Sequence, residues 1–248
     1  MGNRVVNFVP VKQGIYEISS TSNGDLGSVV EFEDGRKFVY SKAGEELTLG
    51  VFCQGPVENT NGYDESLVIP TGSSVVAGDK TITVTTQRSW EANEFKDGYL
   101  VIEDETADIQ GAVRKIKSHP AAGSAASCVL TVYDAFVTAA TAGAETITVI
   151  KNPYNGVMEK DSTATGPLLG LPPMTVTNAY YFWLQVAGIA AVTTGENSIL
   201  VGEWVCVDAT DGTAMLFDTA GDSELIGRVM NTCDTSGNMV LIWLHMGR

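Results

Sequence analysis

Cationic side chains are scarce in this sequence: Lys and Arg total 15 against 30 Asp and Glu, a formal net charge of −15 over 248 residues. Binding to a nucleic-acid backbone depends on cations that displace condensed counterions. The nearest approach to a basic run is Arg114, Lys115 and Lys117, with acids upstream. No nucleic-acid partner is expected. Histidine is scarcer still, with only His119, beside Pro120, and His245, close to the end. General acid–base chemistry uses histidine most often and needs an oriented partner, which neither position offers in the sequence. The four cysteines, Cys53, Cys128, Cys206 and Cys233, are scattered and never spaced C-x-x-C. They read as small buried hydrophobes of a reducing cytoplasm rather than as zinc ligands or a disulfide framework. Long apolar runs are lacking too. The richest, Tyr180–Val192, is too short to span a bilayer, and Met1–Arg4 opens no apolar signal segment. No membrane partner is expected.

Signatures of chemistry are equally thin. There is no phosphate-binding G-x-x-x-x-G-K-[ST], no dinucleotide fingerprint and no G-x-S-x-G nucleophile elbow. Asp208, Asp211, Asp218, Asp222 and Glu224 form an acidic cluster whose oxygens could in principle hold Ca²⁺. Their spacing is not that of an EF-hand loop, and each sits in an expected turn, where Asp is favoured anyway. The sequence therefore reads as non-enzymatic, with no catalytic residue, cofactor or metal assigned.

What is present points to strands. Gly is abundant at 26 residues, alongside many Thr and Val, while long-helix composition is missing. Val29–Phe32 and Phe38–Tyr40 flank Glu33-Asp34-Gly35, a hairpin signal, because Asp-Gly tolerates the positive φ of tight turns. Leu47–Cys53 and Ser66–Ile69 are further strand candidates. The final third predicts strands at Tyr180–Val186, Ile189–Val192, Ile199–Val201, Trp204–Val207, Ala214–Phe217, Leu225–Met230 and Val240–His245, punctuated by turn residues. Asp134–Thr141 is the one helix candidate, with Asp134 as N-cap and Gly143 as stop. Gly166–Pro173 reads as a loop.

An internal echo bears on domain organisation. Ala77-Gly78-Asp79-Lys80-Thr81-Ile82-Thr83-Val84 returns as Ala142-Gly143-Ala144-Glu145-Thr146-Ile147-Thr148-Val149, both with the period-2 alternation of half-buried strands. The copies bracket strand-like Tyr99–Ile102 and Cys128–Tyr133. The expected fold is all-β, a short-stranded barrel or sandwich with a small inserted β module. Its parts are 1–79, the first portion of the main domain with an N-terminal arm, then the module at 80–153, then 154–248.

Two stretches are candidate contact surfaces. Arg4, Val5, Val6, Phe8 and Val9 form a basic and apolar patch in an acidic chain, which suits an arm that docks on another protein or, equally, an edge strand of the chain's own sheet. Tyr180, Tyr181, Phe182 and Trp183 place aromatics on both faces of one strand, a candidate subunit interface. Trp183, Trp204 and Trp243 lie in strand-like runs, where packing in the core is the default.

Several motifs resemble structural proteins of tailed phages, particularly marine ones. Gly170-Leu171-Pro172-Pro173 leads to Tyr181-Phe182-Trp183-Leu184-Gln185-Val186-Ala187-Gly188. Ile199–Gly202, the Ala220-Gly221 turn, Ile226-Gly227-Arg228-Val229-Met230 and Val240–Leu244 then follow in the order of that group. Phe95–Leu100, Ile116–Ala121 and Asn152-Pro153-Tyr154 resemble its middle, and Ala43–Gly50 is similar to the opening strand of head decoration proteins. The resemblance implies a virion protein made in the host cytoplasm and placed on the capsid exterior. Its implied partners are the major capsid protein and further copies of itself, with a trimer as the first expectation. It leaves open a tail- or head-fibre-associated receptor-binding module and, further off, a carbohydrate-active virion enzyme.

Overall fold

In a computed structural model the described residues, which are 11–56, 63–103, 112–143, 145–162, 166–217 and 225–246, form sixteen strands and no helix. In chain order the first three strands are β1 (Val29–Glu31), β2 (Lys37–Ala43) and β3 (Cys53–Gln54). Then come β4 (Tyr63–Val68), β5 (Thr81–Thr85), β6 (Tyr99–Ile102), β7 (Val113–Ser118), β8 (Ser127–Val132) and β9 (Thr146–Ile150). The last group is β10 (Asn155–Glu159), β11 (Leu168–Gly170), β12 (Tyr181–Thr193), β13 (Trp204–Val207), β14 (Ala214–Leu216), β15 (Leu225–Val229) and β16 (Met239–His245). The all-β expectation holds.

The strands sort into two compact units, residues 1–56 with 153–248 and residues 57–152. The inserted unit thus begins at 57 rather than 80. The reason is pairing: β4 hydrogen-bonds to β9, so it belongs to the insert and not to the main domain. The insert is one sheet in the order β4-β9-β6-β7-β8-β5, and its end strands β4 and β5 come into contact, curling the sheet around its own core. That core contains Leu67, Ile82, Val84, Trp90, Phe95, Leu100, Ile116, Leu130 and Ile147. The echoed segments are β5 and β9 with the turns before them. Just upstream, Val75 and Ala140 exchange backbone hydrogen bonds of 2.9 Å in both directions. That bridge also overturns the expected helix at 134–141. Phe136 is buried and its amide bonds to the Asp79 carbonyl, so this backbone is satisfied by its neighbour across the fold and not by itself.

The main unit is organised around β12. Its first half pairs with β2 and its second half with β16, in the path β11-β3-β10-β2-β12-β16-β15-β13-β14. Both ends of the path return to β12. On one side Leu171, just past β11, exchanges backbone hydrogen bonds of 3.0 and 2.9 Å with Gln185. On the other, Thr194 bridges Ala214 and the Gly195 amide donates to the Ala214 carbonyl at 2.9 Å. The result is two small barrel-like rings sharing one strand. Each ring has its own core: Leu47, Cys53, Val157, Phe182 and Leu184 in the first, Ala190, Val192, Val205, Ile226, Ile242 and Leu244 in the second. A bulge at Gln185/Ala187 and Gly188 with φ +85° mark the hand-over between rings.

Candidate functional site: the outer face of the second ring

Three surfaces singled out in the sequence meet different fates. The arm residues Arg4, Val5, Val6, Phe8 and Val9 lie outside the described residues. So do Asp218, Asp222 and Glu224 of the acidic cluster. Asp208 and Asp211 each fold back on a threonine two residues on. Asp208 Oδ1 accepts from the Thr210 amide and hydroxyl at 2.7 and 2.6 Å, and Asp211 Oδ1 from those of Thr213 at 3.0 and 2.7 Å. These are side-chain turns, and no metal-holding cluster occurs among the described residues.

The aromatic run Tyr180–Trp183 is a correction. Phe182 is 1% exposed inside the first ring, and Trp183 is 4% exposed on its outside, packed with Phe38 and Tyr40. The chain itself covers that outside. Gln13 is the clamp: its Nε2 donates to the carbonyls of Glu17 and Tyr181 at 2.7 and 2.9 Å, and its Oε1 accepts from the Tyr40 hydroxyl at 2.9 Å. The Trp183 indole donates to the Gln13 carbonyl at 2.8 Å. Tyr181 is half-buried, stacked on Tyr40 at 5.9 Å, and Tyr180 is half-buried too. Buried polar groups are normally satisfied in this way, and Phe182 and Trp183 offer nothing to a second subunit.

The surface that is open lies elsewhere. Strand β16 alternates exposed and buried over its whole length, with Val240, Ile242 and Leu244 facing the core. Its outward residues are Met239, Leu241, Trp243 and His245, with no acidic, lysine or arginine side chain among them. Register extends this face across four strands. Ile189 pairs with Trp243, Trp243 with Arg228, and Arg228 with Trp204, giving the row Ile189–Trp243–Arg228–Trp204 on β12, β16, β15 and β13. The Arg228 guanidinium lies 4.0 Å from the Trp204 ring centre, a close cation–π contact. Trp243 stacks on His245 at 6.1 Å. Leu225 on β15 and Met230 just past its end are also exposed, and the seven large apolar side chains of the face each show 38–43% of their surface.

Two properties set this face apart. Its apolar exposure is on the order of 600 Å², at the upper end for the largest patch of a monomer. It also presents no carboxylate from the described residues of these four strands, in a chain with 30 of them. The inserted unit has a smaller counterpart, where Tyr99 pairs with Ile150 and Lys115, and Lys115 lies over Tyr133 at 5.6 Å. There Asp97 takes both the Tyr133 hydroxyl at 3.0 Å and Lys115 at 3.6 Å, so its polar groups are matched internally. The sequence reading placed Trp204 and Trp243 in the core. The signal against that was the strand Met239–His245 itself, apolar on both faces and therefore unable to bury both in a single-layered ring.

No family model, no curated protein and no solved structure matches the chain.

Proposed function

We propose that this chain is a non-enzymatic virion protein of a tailed phage that decorates the capsid exterior, held there by contacts with the major capsid protein and with its own copies. The observation that carries the reading is the outer face of the second ring. Trp, Met and Arg with depleted acids are the composition of protein–protein contact cores. Such a face works through contact area and asks for no chemistry. The resemblance of the Tyr181–Gly188 and Ile226–Met230 strands to phage structural proteins supports the virion as its setting. The charge of −15 favours the outside of the shell, since packaged DNA repels an acidic protein.

Sedimentation of purified protein with undecorated heads, followed by electron microscopy of the particles, tests the proposal. Saturable binding is expected, with added density on the outer shell and a higher rupture temperature, because a ligand of the assembled state alone stabilises that state. Density confined to a tail or fibre would overturn the capsid placement. Glycan turnover abolished by one carboxylate substitution would overturn the non-enzymatic reading.

A further inference from the structure

We propose that the face built on Ile189, Trp243, Arg228 and Trp204 is the seam between two copies of this chain, paired about a two-fold axis. The inference rests on reading this face as a contact surface and names its occupant. A two-fold interface sets residue i against j and j against i, so a row of side chains must complement its own reverse. This row does. With the axis between Trp243 and Arg228, each Trp243 meets the Arg228 of the second copy, and each Ile189 meets its Trp204. Aromatic rings then lie against a cation or an aliphatic side chain at every step. The guanidinium of Arg228 already has one face on Trp204 of its own chain, at 4.0 Å. Its planar form leaves the opposite face for a second ring.

Area and charge agree. Two copies of the patch amount to on the order of 1,200 Å² of apolar surface, the lower bound of a standard protein–protein interface. Two chains of charge −15 repel each other, and the approach that costs least brings together surfaces without carboxylates, as this one is on its described strands. A two-fold pair takes the place of the trimer expected from the sequence.

Sedimentation velocity on the full chain between about 1 and 100 µM, a range bracketing ordinary dimer affinities, reads the seam directly. A dimer is expected. Arg228→Glu and Ile189→Glu should each weaken it at least tenfold, while Val137→Glu, at a valine 78% exposed in the inserted unit, should leave it unchanged. All three sites are exposed, and melting curves check that each variant folds. Tryptophan emission gives a second readout, shifting to the red on dilution in the parent and already red in the two seam variants. A monomer at all concentrations, a trimer, or a dimer indifferent to both seam substitutions would overturn the proposal. Head sedimentation keeps it apart from the proposed function: a monomer that still binds heads loses the seam alone, and a seam-dependent dimer that ignores heads loses capsid decoration alone.

Discussion

His119 has its two ring nitrogens committed in opposite senses. Nδ1 donates to the Pro120 carbonyl at 2.8 Å, and Nε2 accepts the Phe95 amide at 3.0 Å, which fixes the neutral tautomer. The ring packs against Trp90 at 5.4 Å and Phe95 at 5.8 Å. Burial pushes its pKa below the usual 6.5, against weaker raising effects from the Pro120 carbonyl and Glu94. The unfolded chain therefore binds more protons than the folded one between the folded value and 6.5, so this contribution to stability is complete above about pH 6.5 and is lost as pH falls through that window. Urea unfolding of the inserted unit should show a falling midpoint from pH 7.5 to 5. His119→Gln should flatten the slope, and an unchanged slope would sink the assignment. His119→Ala, leaving the Phe95 amide without an acceptor, should cost about 1–3 kcal/mol at neutral pH. The cysteines make a simpler case. All four are buried and none forms a disulfide. Burial pushes the Cys53 and Cys128 thiols up, so little thiolate is present at neutral pH. A disulfide reagent should label the folded protein slowly and the urea-unfolded protein at once, and reductant or chelator should leave the melting temperature unchanged.

Among the elements, β12 carries both rings and concentrates the backbone constraint. Gly188 has φ +85°, and a side-chain carbon there would lie 2.6 Å from the Arg36 Cα. Gly202 has nearly the same φ, +87°, with nothing within 4 Å of that carbon. The pair separates two costs. Gly202→Ala should lose only the left-handed strain, about 1–2 kcal/mol, whereas Gly188→Ala must also displace backbone and should lose at least about 3 kcal/mol. Equal losses in denaturant midpoints would mean that the Arg36 approach does not matter. The same element shows what was legible in the sequence. Tyr99–Ile102 and Trp204–Val207 are strands over the residues expected, because each is a short run of aromatic and aliphatic side chains bounded by turn residues. β12 read as two strands because Gly188 interrupts the pattern, although the pairing runs on through it. β10 and β11 were hidden in segments rich in Gly and Pro, since their pairing partners β2 and β3 are remote in sequence and local propensity carries no trace of them. Asp134–Thr141 misled for the converse reason: its cap and stop are sound local signals, overruled by the Val75–Ala140 bridge. The aromatic runs were exchanged. Whether a Trp on a strand is covered depends on what crosses that face, and only the fold shows Gln13 over Trp183 and Trp243 left 43% exposed.

At the scale of the whole molecule, strand pairing among the described residues stays within each of the two units. Every ladder of β4 to β9 lies within residues 57–152, and every ladder of the remaining strands lies outside them. The insert also has a core of its own, with Leu100, Ile102, Ile116, Leu130, Ile147 and Val149 fully buried. Its points of entry and exit are neighbours in the main unit. A side-chain carbon on Gly55 would lie 3.7 Å from the Pro153 carbonyl, and one on Gly156 would lie 3.6 Å from Pro56. Closing that gap therefore asks for only a short loop, whose closure entropy is small. Replacing residues 57–152 by a few glycines and serines should leave a main unit that unfolds cooperatively and keeps the exposed Trp204 and Trp243, read by their fluorescence. The excised fragment 57–152 should fold alone, at about 100 residues an ordinary size for an independent domain. It should also keep the pH dependence set by His119. If the fragment lacks a cooperative urea transition, or the shortened chain loses its own, the two cores depend on each other and the division into units fails.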